Sequence, residues 1–308
     1  MKKTTSLITL LAIATIGLSA CSDPDIAKPK ASNEPTKEAP AATFNLDEIE
    51  TVPEIAALVP AELKEKGILL NGASTDYAPA EFRAEDGQTP VGYDIDITKA
   101  LAKVMGLKEG QTQHAEFATI IPALGSKFNI GASSFTITPE RLEQVNMISY
   151  VEVGSSYAVP KGNPGKFDPN DVCGKTVGIL SGTYQQEYIQ VKSAECEATG
   201  KAAVKIMAHD LNTDAITKLV GGQYDAVLSD STVTSYAITQ TDGKIEQVGE
   251  VIEAEPQGIA IAKDNKELTE ATQKAMQYLM DKGYLKKILD NYGAGQAALT
   301  KAELNPGK

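Results

Sequence analysis

From about residue 67 onward, apolar residues come in short blocks of two kinds. Some are continuous runs bounded by small or polar residues, which read as buried strands; others recur at three- and four-residue spacing, which reads as helix. Strands are expected at 67–74, 111–117, 127–134, 175–180, 203–207, 224–228 and 258–262. A helix is expected over 94–105, where Ile97, Leu101, Val104 and Met105 share a face and Gly106 stops it. Further helices are expected at 120–124, from Thr138, from Ser181-Gly182-Thr183 to about 198, over 213–220, and through Tyr278 and Tyr292. Thr138 suits an N-cap and Pro139 the first helical position. Strands alternating with helices predict an α/β fold, with mostly parallel sheets flanked by helices. The pattern restarts near residue 175, so two units of roughly 100 residues are expected, as two lobes with a cleft between them.

Before residue 53 the patterning changes. Met1-Lys2-Lys3 is positively charged, 7–18 is apolar, and Leu18-Ser19-Ala20 is an exit of small residues, so 1–20 reads as a secretion signal. The apolar stretch is too short to span a bilayer permanently. Leu18-Ser19-Ala20-Cys21 resembles the lipobox of bacterial lipoproteins, which implies that Cys21 becomes the first residue and carries the lipid; ordinary signal cleavage is the alternative. Two or more acyl chains would anchor the chain stably. Residues 21–52 are rich in Pro, Ala, Lys and Glu and read as a flexible spacer.

The chain has 308 residues, is 42% hydrophobic and carries a net charge of −12. That excludes a disordered chain, and no apolar run after the leader is long enough for a multi-pass membrane protein. A strongly acidic balance excludes nucleic acid as the partner. With two His and three Cys there is little to build a metal site from, and no cofactor is expected. Lipidating Cys21 leaves Cys173 and Cys196, and outside the cytoplasm an even remainder points to a disulfide, with two buried thiols as the alternative.

In open α/β sheets, ligands lie beyond the carboxyl ends of strands. Four polar stations follow expected strands: 74–77, 133–136, 181–184 and 229–230. Arg141 begins the helix after the second station, and its guanidinium grips carboxylates by two parallel hydrogen bonds. Taken alone it reads equally as a surface residue, yet a cation is disfavoured at a helix N-terminus. Ser134 and Thr136 can supply donors beside it. Gly182 allows close backbone approach, and the Thr183 and Tyr184 amides open a helix and suit an anion. Asp230 suits an ammonium group or caps the next helix. Tyr77 and Phe117 can wall a pocket or pack in the core. A ligand with adjacent carboxylate and ammonium groups is an α-amino acid. Neither His114 nor His209 lies near a nucleophile motif, so triad catalysis is not expected.

Ordered motifs add to this reading. Tyr77-Ala-Pro79, Gly92-Tyr-Asp-Ile-Asp96, Ile121-Pro-Ala-Leu124, Ser133-Ser-Phe-Thr-Ile-Thr-Pro-Glu-Arg141, Gly174-Lys-Thr-Val-Gly-Ile-Leu-Ser-Gly-Thr183 and Gly222-Gln-Tyr-Asp-Ala226 span about 63–292. Together they resemble bacterial extracellular solute-binding proteins of family 3, the amino-acid receptors of ABC importers. The resemblance implies a two-lobed periplasmic-binding-protein-like (type II) fold with two hinge crossings, near 152–155 and 253–257. Lobe 1 would be 53–153 plus 256–308, and lobe 2 would be 154–255. Tyr77 and Phe117 would flank the ligand side chain, and Ser134 and Thr136 would contact its main-chain groups. Arg141, Thr183 and Tyr184 would bind the carboxylate and Asp230 the ammonium, with Ser74, Ser133 and Leu180 in secondary positions. The Cys173–Cys196 pair resembles a feature of Gram-positive members.

Three residues depart from the family pattern. Ala80 stands where an aromatic is frequent, Ser74 where some members place an acid, and Tyr184 where a small residue is usual. Ser74 argues against a basic ligand, so a polar or small amino acid is expected, with glutamate or glutamine ahead of basic ones. The implied partners are the ligand, a permease–ATPase complex, and the membrane through the lipid alone, with the protein monomeric on a Gram-positive outer surface. The rivals are a ligand sensor for a membrane receptor and a cyclohexadienyl-dehydratase-like enzyme. The enzyme would need an acid such as Glu81 or Glu152, both read as solvated surface carboxylates.

Overall fold

The computed structural model describes residues 44–307. The leader, Cys21 and the spacer up to residue 43 lie outside the described residues. The chain runs through helices α1 (Pro53–Leu58) and α2 (Ala61–Lys66), strand β1 (Ile68–Ala73) and a short pair, β2 (Phe82–Arg83) and β3 (Pro90–Val91). Next come α3 (Tyr93–Val104), β4 (Glu109–His114), α4 (Phe117–Ile120), α5 (Pro139–Gln144) and the long β5 (Val145–Pro160). Then follow β6 (Thr176–Leu180), α6 (Tyr184–Ala198), β7 (Lys205–His209), α7 (Asn212–Val220), β8 (Ala226–Asp230) and α8 (Ser231–Gln240). The long β9 (Ile245–Ala262), α9 (Lys266–Asp281) and α10 (Tyr284–Asp290) complete the chain.

Local chemistry sets the two helix starts that matter for the site. The Thr138 hydroxyl accepts from the Arg141 amide, and the Thr183 hydroxyl accepts from the Gln186 amide, both at 3.3 Å. Each is a side-chain cap on a helix opening beside the cleft. Two expected elements differ. The 111–117 strand stops at His114, and Phe117 opens α4. The 127–134 strand is reduced to single bridges, Ile130 to Asn71 and Gly131 to Ala260.

The five-stranded sheet has the order β7-β6-β8-β5-β9. It is mixed, where mostly parallel sheets were expected: β6 pairs parallel with β7 and β8, but β5 pairs antiparallel with β8 and β9. The reason lies in β5 and β9, of 16 and 18 residues, several times the usual strand length. Their sequences carry Gly154, Glu152, Glu253 and Pro256, which hid all but the 258–262 end of β9 from apolar-run reading. They pass between the lobes side by side, with Glu152 opposite Pro256 and Val153 opposite Glu255. Register shifts at Ser149/Val151 and Val153/Ser155 interrupt the ladder there.

The hydrophobic interior divides accordingly. One core packs β1, α3, β5, α9 and α10 through Leu69, Ile97, Leu101, Tyr150, Met276 and Ile288. Another packs the five-stranded sheet against α6 through Tyr157, Val177, Ile179, Ile189 and Leu228. Cys173 and Cys196 are joined in a disulfide at the edge of that second core. Closing a loop of about 24 residues contributes roughly 3 kcal/mol in the chain-entropy model.

One boundary shifts. The spacer expected over 21–52 does not stay free to its end, because Phe44 stacks on Tyr284 at 5.3 Å and its amide donates to Asn291 Oδ1 at 3.0 Å. Ile49 is buried in the first core. Phe44, Leu46 and Ile49 supply apolar surface that the preceding Pro- and Lys-rich residues lack, and burying it offsets the ordering entropy.

Candidate functional site

The four polar stations converge. A small cavity, closed down to about 10 Å³, is lined by Tyr77, Phe117, Ser134, Thr136, Arg141, Leu180, Thr183, Tyr184, Gln185 and Asp230. These come from the ends of β6 and β8, the starts of α4, α5 and α6, and the loops after β1 and before α5. Each first-rank residue expected from sequence lies on this wall, as does Leu180. Ser74 and Ser133 do not; they are buried behind it, with the Ser74 amide donating to Ser133 Oγ at 3.0 Å. Gln185, in the first turn of α6, was not read from the sequence.

Arg141 is only 6% exposed. Its Nη1 donates to the Thr136 carbonyl at 2.6 Å and its Nη2 to the Gly182 carbonyl of the opposite lobe at 3.1 Å. The guanidinium carbon lies 5.5 Å from the ring centres of both Phe117 and Phe135. Those two rings stack on each other at 4.5 Å, so a sequence-hidden Phe135 completes the seat. Burial lowers the Arg141 pKa, yet a guanidinium stays charged. Gly182 adopts φ 76, and a Cβ there would come within 2.9 Å of Ala118 Cβ. Glycine is therefore required both by the backbone conformation and by the close approach of the lobes.

Asp230 is 3% exposed. Its Oδ1 accepts from Gln185 Nε2 and its Oδ2 from Gln257 Nε2, each at 2.7 Å. Its amide donates to the Tyr77 hydroxyl at 3.0 Å, so Tyr77 bridges the lobes as well as walling the cavity. Burial raises the Asp230 pKa to about 7, against the opposing pull of the two amides and Arg141. The side-chain amide oxygen of Gln257, Oε1, is buried with no hydrogen-bond partner among the described residues. Among those residues every ion pair is lysine with a carboxylate, and neither Arg141 nor Asp230 takes part in one. The cavity thus holds one cation and one anion, each bound only to neutral groups of the protein.

A second pair of acids lies beneath. Glu81 and Asp94 are both 0% exposed, which corrects the reading of Glu81 as a solvated carboxylate; Glu152 is exposed as expected. Glu81 accepts from Ser133 Oγ at 2.8 Å and from Ser134 Oγ at 3.2 Å. Asp94 accepts from the Ser134 amide at 2.9 Å and from the Tyr150 hydroxyl at 2.7 Å. The carboxyl groups also hydrogen-bond each other, and burial beside Asp94 holds Glu81 well above the usual carboxylate range, so Glu81 is the proton donor. This pair anchors Ser134, which adopts a left-handed backbone at φ 53 on the cavity floor.

Comparison with known proteins now bears on this geometry. The family model for bacterial extracellular solute-binding proteins, family 3, matches residues 69–295. The chain belongs to that family. The family-3 match includes every cavity residue. The arginine-binding protein ArgT of Corynebacterium glutamicum is 35% identical over 256 residues, spanning 82% of this chain and 83% of the relative. An ancestral arginine-binding protein bound to arginine superposes with a TM-score of 0.67 at 34% identity, covering 73% of this chain and 98% of that one. The ancestral protein bound to glutamine gives the same TM-score at 33% identity, covering 73% and 97%. The fold is thus the two-lobed α/β architecture of amino-acid-binding proteins. No helix among the described residues is long and apolar enough to cross a membrane.

Proposed function

We propose that this family-3 protein is an extracytoplasmic receptor that binds an α-amino acid between its lobes and delivers it to an ABC importer, with L-arginine as the preferred ligand. The observation that carries the reading is that Arg141 and Asp230, opposite in charge and unpaired with each other, share one buried cavity. The α-carboxylate bonds Arg141 and the amides of Thr183 and Tyr184. The α-ammonium bonds Asp230. Arg141 stands on lobe 1, and Asp230 with the Thr183 and Tyr184 amides on lobe 2, so only the closed state brings all of them to the ligand.

Beyond the charges, the wall offers the rings of Tyr77 and Phe117 with the polar Ser134, Thr136 and Gln185. Aromatic faces with polar edges suit a planar polar side chain, a guanidinium or a carboxamide. Similarity to proteins named for arginine favours the guanidinium, in place of the glutamate or glutamine expected from Ser74. Glutamine is the second reading, supported by the ancestral protein bound to it. A binding role rather than catalysis is supported by the relatives, which are binding proteins, and by the position of Glu81, sealed under Ser134 away from the cavity. Attachment through a lipid on Cys21 completes the proposal and is tested by radiolabelled palmitate incorporation into wild type and Cys21→Ser.

A thermal-shift panel of the twenty amino acids tests the ligand. L-Arginine at 100 times its Kd should add about 2.7 kcal/mol, a shift of roughly 5–10 °C, with L-glutamine next. A flat response to all twenty overturns the reading.

A further inference from the structure

The residue before α7 is Leu211, which makes no side-chain cap, so the amides of the first turn need another acceptor. They find it in the other lobe. Oδ2 of Asp76, in the loop after β1, accepts from the Thr213 amide at 3.3 Å, and the Asn212 amide also faces it. Asp76 Oδ1 is held in place by Ser74 Oγ at 3.1 Å. The two ends of this contact belong to different cores. Ser74 and Asp76 follow β1, whose Leu69 is in the first core, whereas Ala215 and Leu219 of α7 pack with Ala158, Tyr224 and Val227 on the five-stranded sheet. Asp76 is not on the cavity wall. An acid thus stands two residues from Ser74, the position where some family members place one.

We propose that Asp76 is an interlobe latch: a positioning residue that caps α7 only when the lobes are closed and so sets how much of the protein is competent to hold ligand. An acid at a helix N-terminus satisfies free amides and complements the helix dipole. Both gains vanish when the hinge strands open and α7 moves away. Apparent affinity scales with the closed fraction, so weakening the latch weakens every ligand by the same factor.

The inference rests on the amino-acid-receptor reading, and the experiment separates the two. Titration calorimetry with L-arginine and L-glutamine compares wild type, Asp76→Ala and Asp76→Asn. Asp76→Ala should weaken both ligands equally, by about 3- to 10-fold. Asp76→Asn, which keeps an acceptor, should recover most of the loss. The ligand-free melting temperature should not move. Unchanged affinity, unequal loss for the two ligands, or a matching drop in ligand-free stability would each overturn the latch. If wild type binds neither amino acid, the ligand reading fails, and single-molecule energy transfer between dyes on the two lobes of ligand-free protein decides the latch: a smaller closed fraction in Asp76→Ala supports it, an unchanged fraction overturns it.

Discussion

Asp230 and the Glu81–Asp94 pair are buried to the same degree, yet they handle charge in opposite ways. Glu81 and Asp94 answer burial internally: one proton is shared between two carboxyls, and two serines and a tyrosine supply the remaining donors. Asp230 has two neutral amides and no cation bonded to it, while Arg141 across the cavity has only carbonyls. A buried charge left without a counter-charge is costly, and the cost is repaid when an opposite charge arrives. The comparison teaches that the lower pair is a scaffold, complete in itself, and the upper pair is a receptor, complete only with a zwitterion.

The largest effects should come from cutting the receptor pair. Arg141→Ala or Asp230→Asn should each lower affinity by about 100-fold or more, roughly 3 kcal/mol, with the fold intact by circular dichroism. Titration calorimetry checks this, and near-wild-type binding by either variant would break the comparison at its root.

Acidity should act next. An ammonium needs ionised Asp230, whose pKa burial raises to about 7. Affinity should therefore fall as pH drops below about 7, by at most about tenfold per unit, with proton release on binding. Calorimetry in buffers of different ionisation enthalpy reads that proton, and Asp230→Asn should lose it.

Stability sharpens the contrast further. A carboxyl with a raised folded pKa holds its proton in the folded state while the unfolded chain has lost it. Its contribution is therefore greatest below about pH 4 and is lost as pH rises towards the folded value. For Asp230 that window is about pH 4 to about 7. Ligand-free Asp230→Asn should melt above wild type at pH 8, and the gap should narrow steadily as pH falls from about 7 towards about 4. A constant gap would mean that Asp230 carries no burial penalty.

The smallest effect is expected from the scaffold. Glu81 is the protonated partner, so Glu81→Gln keeps its shape and a donor towards Asp94, and should change affinity by less than about threefold. A loss as large as that of Asp230→Asn would make the lower pair part of the receptor.

Much of the site was legible because its signals are local. Thr138 before Pro139 and Thr183 after Gly182 announce helix starts within four residues, and polar residues at the ends of apolar runs mark where α/β sheets place ligands. Gln185 and Phe135 were missed for want of such a signal. A glutamine in a helix, and a lone phenylalanine among serines and threonines, look the same whether or not they face a cavity. Of the long strands only the end of β9, at 258–262, was read; β5 and the rest of β9 were not, because their charged and proline residues sit at the crossing, where strands need not bury both faces.

By itself the sequence determined the alternation of elements, the helix caps and the chemical types at the strand ends, since each depends on neighbours along the chain. Tertiary structure alone decided that Arg141 and Asp230 share a cavity, that Glu81 is sealed against Asp94, and that Asp76 reaches α7. These depend on residues far apart in sequence being brought within hydrogen-bond range. Burial, which sets the energy of a charge, is a property of the packed whole rather than of any segment.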